Sequence, residues 1–479
     1  MEIQTLTTPI LDDLLAGLSA SKSRKQVLVI LVHKEIKMRK KRVAIVRYEK
    51  PLESVRQAIE LSDGLAHLPA GAKVFIKPNI VFWTQSVPFP KWGVITTSRV
   101  VEDMVMLLRE RGVEDITIGE GMVGRPKDTE TPAHAFKSLG YETLKKRYGV
   151  KYLNVMERPF EKVDLGDGVV LNFNTDILHS DFVVNLPVMK THSQTVVSLG
   201  IKNLKGTIDM PSRKKCHSPD PVRDLNFRVA RLADKMPPML TLIDGIYTNE
   251  RGPAFDGRLR RTNLLVASSD VLSADLTGCR LLGYEPDQVP HLIHAAANHG
   301  RPTDLSDTDI VGESIEPMAV PHKYDFEYGQ AEDGCEMPLP FVRNGMRGIS
   351  YPKYDLSMCT YCSGINGLVL SAIRYAWKGQ PWDKVEVLTG KMMKPTPGMK
   401  KTILLGKCMY QANKNHPDIR EMIAVKGCPP DPDDIVRALH QAGIDADPNL
   451  FRQVDQLPGF FMAYYKDRPE FDEGFFRLP

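Results

Sequence analysis

Two groups of residues in this chain have the types and spacing to do chemistry. The first is cationic: Lys77 and Asn79 in IKPNIV, Lys190 and His192 in MKTH, and Lys202, Asn203 and Lys205 in IKNLKG. Lysines supply point charge and asparagines orient hydrogen bonds, so a convergent set of this kind suits a carboxylate or phosphate group. His192 is a candidate general acid or base near neutral pH. Lys190, crowded among cations, is a candidate amine of lowered pKa, and these two are the expected catalytic residues. Asp244 and Asp275 join the substrate-binding set, where with Glu120 they could balance charge or hold a cation. The second group is Cys359, Cys362, Cys408 and Cys428, four of the chain's seven cysteines. Cys359 and Cys362 form one C-x-x-C turn, while Cys408 and Cys428 each follow an apolar run, in LLGKC and AVKGC.

Four thiolates suit either zinc or an iron-sulfur cluster. Structural zinc usually draws two paired knuckles, whereas a cluster accepts isolated cysteines on loops beside glycine or proline. Gly406, Gly427 and the GCPP segment favour the cluster, expected as 4Fe-4S, with zinc the alternative. A helix starting near Gly364 would aim its amides at the cluster's negative charge. With four ligands and no spare coordination position, a hydratase-type open iron is disfavoured and redox chemistry favoured. Buried free thiols are the remaining alternative. Asp209, Cys216 and His217 in DMPSRKKCH offer one thiol and one imidazole, too few for a metal site. The RKK within that segment reads as a basic loop over the crevice. GEGMVG has the wrong glycine spacing for a nucleotide fingerprint.

Elements that would position these residues are legible. VAIVRY, KVFIKPNIV, DITIGEG, DFVVNLPVMK, MLTLIDGI and NLLVASSD are short apolar, β-branched runs ending in Gly, Pro, Asn or Asp, as buried parallel strands do. Helices are predicted over 98–111, N-capped by Ser98, and from Asp220 through DPVRDLNFRVARLADKM. DKVEVLTG, KTILLGKC and REMIAVKGC predict three more strands, flanked by helices GINGLVLSAIRYAWKG and DPDDIVRALHQAG. The expected fold is α/β: a mainly parallel-sheet domain over 41–311, a connector over 312–350, and a smaller α/β cysteine-bearing domain over 351–446. An aromatic tail over 447–479 should pack on something or form a partner surface. In open α/β sheets, ligands bind beyond the carboxyl ends of the strands, where both residue groups fall.

With 479 residues, 42% hydrophobic and 25% charged, the chain is long enough for about two to three domains. A formal net charge of +4 is too balanced for a nucleic-acid-coating protein, so a basic site must be local. No apolar run approaches the roughly 18 residues of a membrane span. The run VLVILV at 27–32 is too short for a signal-peptide core, so a cytoplasmic location is expected and a disulfide framework is not. Met38 is the expected translation start, because Lys34–Glu35 can be encoded as a purine-rich ribosome-binding sequence. Residues 1–40 are then an over-long gene start, the alternative being a genuine N-terminal arm.

The segments VFIKPNIV, IGEG, NLPVMKTHSQTVVSLGIKNLKG, LIDGI…ERGP and LLVASSDVLSADLTGCRLLGY resemble, in order and spacing, the signature of the domain of unknown function 362 family, over about Arg42 to Leu292. The resemblance implies the fold and the place of the site but no reaction. It also implies an iron-sulfur segment toward the C-terminus. Here the pattern departs, with a single C-x-x-C and two isolated cysteines where ferredoxin-like, tightly spaced cysteines are common.

Two functions follow. One is an iron-sulfur oxidoreductase-type enzyme acting on a small anionic substrate in the basic crevice and exchanging electrons with a redox partner protein. The alternative is a non-catalytic electron-transfer or structural metal module that recruits a partner through the tail. The distance between crevice and thiols discriminates between them. Substrate identity and oligomeric state are not encoded in any motif.

Overall fold

The architecture is α/β, as expected, with a large mixed sheet and a small parallel one. The computed structural model describes residues 40–122 and 130–478. Met38, the apolar run at 27–32 and the last two residues of GEGMVG lie outside them. The large sheet has 10 strands, ordered β12-β1-β11-β10-β7-β2-β3-β4, with β8 pairing β10 and β9 pairing β8. Its strands are β1 (Lys41–Arg47), β2 (Lys73–Pro78), β3 (Asp115–Glu120), β4 (Lys151–Asn154), β7 (Phe182–Leu186), β8 (Val188–His192), β9 (Val196–Ser198), β10 (Met239–Glu250), β11 (Arg258–Ser268) and β12 (Thr308–Gly312). Two hairpins stand apart, β5 (Phe160–Asp164) with β6 (Val170–Asn174) and β13 (Tyr328–Gln330) with β14 (Glu336–Pro338).

Strands β2, β3, β4, β7 and β10 pair in parallel. NLLVASSD and VAIVRY do not. β11 runs antiparallel to both β1 and β10. A strand buried on both faces reads as the same apolar run in either direction, so sequence pattern alone does not fix its sense.

The small sheet, β15 (Ile349–Ser350), β16 (Val385–Leu388), β17 (Lys401–Leu405) and β18 (Glu421–Val425), is parallel throughout. All its carboxyl ends therefore lie on one edge, which carries Lys391, Cys408 and Cys428. Its core includes Ile349, Val385, Ile403, Ile423 and Leu439, and it takes in Met337 and Phe341 from the expected connector.

Helix predictions needed three corrections. The helix Ser98–Glu110 is capped from Thr97, which places Ser98 inside it. The helix expected from Asp220 shrinks to Leu225–Val229, started by Asp224, whose carboxylate accepts from the Phe227 amide. The helix Thr360–Ala376 begins directly after Cys359 instead of near Gly364, so Cys362 sits in its first turn. The helix expected in DPDDIVRALHQAG is Pro432–Ala442, capped by Asp431. The aromatic tail packs onto the large sheet's core: Phe471 stacks on Tyr247 and meets Trp92 edge-on, and the Tyr465 hydroxyl accepts from the Leu259 amide.

Candidate functional site

β2, β3, β7 and β8 deliver their carboxyl ends to one place, and the helical turn Gly200–Asn203 closes over them. Fully buried Lys77 pairs with Glu120 at 2.9 Å and donates to the Pro78 carbonyl at 2.6 Å. Burial lowers its pKa and Glu120 opposes that shift. Glu120 also accepts from the Ile80 and Gly121 amides, each at 2.8 Å. Asn203 ties the strands together: its side-chain amide donates to the Lys77 carbonyl (3.2 Å) and to Asn185 (2.8 Å), and its oxygen accepts from Asn79 (3.0 Å). The Asn79 oxygen in turn accepts from the Lys190 ammonium at 2.6 Å, and Lys190 also donates to the Val94 carbonyl at 2.9 Å. Burial, with the nearby Lys77 adding to it, takes Lys190 down to about 7 against the pull of Glu120. A side chain at Gly206 would stand 2.7 Å from the Lys77 stem, which explains the glycine in NLKG.

This inner network is self-satisfied; the outer one is not. Half-buried Lys202 has no hydrogen bond or ion pair among the described residues. Burial pushes its pKa well down, and the charges acting on it, Lys205 and Lys190, push the same way. His192 accepts the Gln194 amide on Nδ1 at 3.0 Å, so the neutral ring carries its proton on Nε2. Burial holds it well below the ordinary imidazole range, and Lys202 is the charge that adds most to that effect. Lys205 meets Nε2 of His217 at 2.6 Å, while Nδ1 of His217 faces the Leu356 carbonyl at 3.0 Å. Burial brings Lys205 to about 8 despite the thiols of Cys216 and Cys359 nearby.

Asp244 and Asp275 stand outside the crevice. Asp244 accepts the Thr97 and Ile246 amides. Asp275 accepts the amides of Gly200 (2.6 Å) and Ile201 (2.8 Å), capping the turn that carries Lys202. Both carboxylates are spent on backbone donors, so they hold the site's walls and do not line it. Asp209 likewise caps the helix Met210–Cys216.

The four cysteines lie within electrostatic reach of one another. Its hydrogen bond with Cys359, then burial and the charges of Cys359, Cys408 and Cys428, push Cys362 above the usual thiol range. A hydrogen bond from Cys362 holds Cys359 well below that range, helped by Lys391. Gly406, with φ of 94°, brings its backbone close to Cys362; a Cβ there would lie 3.4 Å from the sulfur. Cys359 is buried, whereas Cys408 and Cys428 are exposed. Lys214 reaches to 3.9 Å from the Cys428 sulfur. Among the described residues no group of three or more His, Cys, Asp or Glu is arranged to hold a single metal ion. Thiolates sharing one zinc at about 2.3 Å would stand roughly 4 Å apart, whereas a cluster's ligands are spaced more widely.

The thiols and the crevice adjoin. Gln194, two residues from His192, donates to the carbonyls of Asp355 (3.0 Å) and Met358 (3.1 Å), in the loop that ends at Cys359. Lys391 donates to the Lys214 carbonyl at 3.0 Å and to the His217 carbonyl. A cleft of about 420 Å³ opens beside them, lined by Lys215, Ser218, Arg228 and Lys391. Sequence reasoning missed Gln194, His217 as a crevice residue and Lys391; the RKK that holds Lys214, expected as a loop over the crevice, lies in the helix Met210–Cys216. Lys391 had a signal, because Gly390–Lys391 follows β16 on the same edge as Cys408 and Cys428.

Residues 74–280 match the model of the family described as Domain of unknown function (DUF362). That stretch contains every cation of the crevice and ends before Cys359, so the match carries the resemblance read from the motifs but gives no support to the four-cysteine unit. The thylakoid-associated protein sll1697 of Synechocystis sp. (strain ATCC 27184 / PCC 6803 / Kazusa) is 25% identical over 248 residues, which are 50% of this chain and 72% of that protein. The lactate racemase apoprotein from Thermoanaerobacterium thermosaccharolyticum aligns with a TM-score of 0.30 and 17% identity. The alignment covers 51% of this chain and 58% of that one, and a likeness so slight speaks to neither ligand nor reaction. Among the described residues no helix is long and apolar enough to cross a membrane.

Proposed function

We propose that this chain is an iron-sulfur enzyme of the oxidoreductase type that holds a small carboxylate or phosphate substrate against Lys202, Lys205 and His192. Cys359, Cys362, Cys408 and Cys428 would hold a 4Fe-4S cluster. The observation that carries the reading is adjacency: the loop ending at Cys359 is hydrogen-bonded to Gln194 and His217, and Lys205 lies within electrostatic reach of the Cys359 thiol. A metal that only stabilised the small sheet would not need a neighbouring set of unneutralised cations. Burying such charge without an anion is costly, so a ligand that supplies the anion binds with that cost removed.

The donor set suits the cofactor. The four thiols lie within electrostatic reach of one another, glycine backbone lies against one of them, and Lys214 and Lys391 offset negative charge. A bound cluster would supply one-electron transfer. The chain's own residues do the rest. Lys202 and Lys205 bind the anion, Nε2–H of His192 donates to it, and the Glu120–Lys77–Asn203 network fixes the strands beneath. Exposed Cys408 and Cys428 leave one side of the thiol set open to a redox partner.

Anaerobic purification with iron, sulfide and zinc analysis tests this. About four iron and four sulfide per chain are expected. Cys428→Ser should lose them and Cys279→Ser should not, because Cys279 is buried against the Tyr284 carbonyl elsewhere. Stoichiometric zinc without iron would overturn the redox reading.

A further inference from the structure

A second concave site lies outside the crevice. The cleft of about 420 Å³ beside Lys391 takes in Lys215, Ser218 and Arg228 and is walled by Gly168 and Val170 of the β5–β6 hairpin. Lys202, Lys205 and His192 do not line it. Its volume falls in the roughly 300–1,000 Å³ range of small-molecule sites. Three cations meet in it from three separate segments, the helices Met210–Cys216 and Leu225–Val229 and the turn after β16, and no carboxylate lines it. The acids adjoining its lining in sequence are committed elsewhere: Asp167 pairs with Arg231 at 2.5 Å, and Asp220 accepts the Val222 and Arg223 amides at 2.9 and 3.0 Å.

Hydrogen bonds fix the walls. Asn172 ties the hairpin to the helix Met210–Cys216, its backbone amide donating to the Ser212 hydroxyl and its side-chain amide to Asp209, each at 2.8 Å. Lys391 reaches the same segment, donating to the carbonyls of Lys214 (3.0 Å) and His217, which hold its ammonium in place without cancelling its charge. Arg228 donates through Nε to the Arg223 carbonyl at 3.0 Å, which leaves both terminal guanidinium nitrogens without an acceptor among the described residues. Exposed Lys215 has neither a hydrogen bond nor an ion pair among them. Ser218 is 4% exposed; its hydroxyl accepts the Asp220 amide at 3.1 Å, while its own proton reaches no acceptor among the described residues. A buried hydroxyl that donates to nothing, beside a guanidinium whose fork is empty, marks a place where a bound molecule supplies the acceptors.

We propose that this cleft binds the phosphate group of a small phosphorylated molecule. Arg228 takes two phosphate oxygens in its fork, Ser218 donates its hydroxyl proton to a third, and Lys215 pairs with the group from the exposed side. Lys391 contributes charge at the inner wall and no hydrogen bond. Phosphate fits where a carboxylate does not, because the guanidinium fork alone would occupy both oxygens of a carboxylate and leave the hydroxyl unmet. The proposal does not depend on the anion reading of the crevice.

The test is calorimetric titration of the full-length, anaerobically purified chain with inorganic phosphate at fixed ionic strength, with acetate in a parallel run. Saturable phosphate binding is expected, with acetate much weaker. Arg228→Gln should weaken phosphate by about tenfold or more, the loss of one charge-assisted pair. Lys215→Glu, a change at an exposed side chain that breaks no hydrogen bond among the described residues, should abolish it and keeps the test valid if the Arg228 variant fails to fold. Lys202→Met should leave it unchanged. No saturable binding in the native chain, or binding that Lys215→Glu leaves intact, overturns the proposal. Acetate binding as tight as phosphate overturns the assignment to phosphate, and loss of binding in Lys202→Met alone would place the anion in the crevice and overturn the cleft.

Discussion

Lys77 and Lys202 stand in one crevice and look alike in sequence, each after an isoleucine in a strand-end motif, yet the fold treats them oppositely. Lys77 is sealed in with a carboxylate, a carbonyl and an asparagine around it. Lys202 is left among cations. The difference separates a lysine that builds the site from one that waits for a ligand. A buried charge with its partner in place is part of the structure, whereas a partly buried charge without one is a standing demand for an anion.

That contrast can be broken by removing each charge in turn, which should give the largest effect. Lys77→Met leaves Glu120 buried and unpaired and should cost about 3–5 kcal/mol in urea unfolding. Lys202→Met orphans no carboxylate and relieves repulsion from Lys205 and Lys190, so it should cost nothing or stabilise. If both variants lost stability equally, the division into a built half and a waiting half would be wrong.

A second region sharpens the comparison, because the crevice and the thiol edge are joined by few bonds. Gln194 makes two of them, to Asp355 and Met358. Gln194→Ala should cost about 1–3 kcal/mol, at roughly 0.5–1.5 kcal/mol per hydrogen bond. In hydrogen exchange the loss should appear in the 354–359 loop and leave β2 and β7 unchanged. Faster exchange throughout the large sheet would show that the tie is not local.

How much of this was legible follows the same divide. The strands that end at Lys77, Glu120, Leu186 and Leu405 announce themselves as apolar β-branched runs, because burial on both faces leaves them no other composition. The convergence of Lys77, Asn79, Lys190 and Asn203 followed from the strand-end rule alone. What could not be read was which cation had a partner. Glu120 and Asn203 lie 43 and 126 residues from Lys77, and no local pattern ties them to it. Asp275 misled for the same reason. A carboxylate in the first turns of a helix reads equally as a ligand contact or as a cap, and only the fold shows that it accepts Gly200 and Ile201. The hairpin β5–β6 escaped because FEKVD is polar and partly exposed, and VLNFN, although it buries Leu171 and Phe173, is only five residues long. The small sheet fared better: its parallel order made the shared edge of Cys408 and Cys428 a consequence of sequence, although the early start of the helix at Thr360 did not follow.

An effect confined to one pH window tests Lys190, which by residue type belongs with Lys202 and by environment with Lys77. Its ammonium is taken down to about 7 by burial, from the 10.5 of a free lysine. Between those values the unfolded chain binds a proton that the folded chain does not. Stability should therefore rise with pH across that window, at up to about 1.4 kcal/mol per pH unit for one group. Below about 7 both states hold the proton, so the penalty of burying the charge is present in full. In Lys190→Met the acceptors Asn79 and Val94 lose a donor at every pH, a constant cost, while this rising component disappears. The measurement is the difference in unfolding free energy between wild type and variant at several pH values from 6 to about 10. Its sign is fixed in advance, the gap in favour of wild type widening as pH rises. A gap that stayed flat would mean that Lys190 remains charged in the fold, drawing on Glu120 as Lys77 does, and would move it fully into the built half of the site.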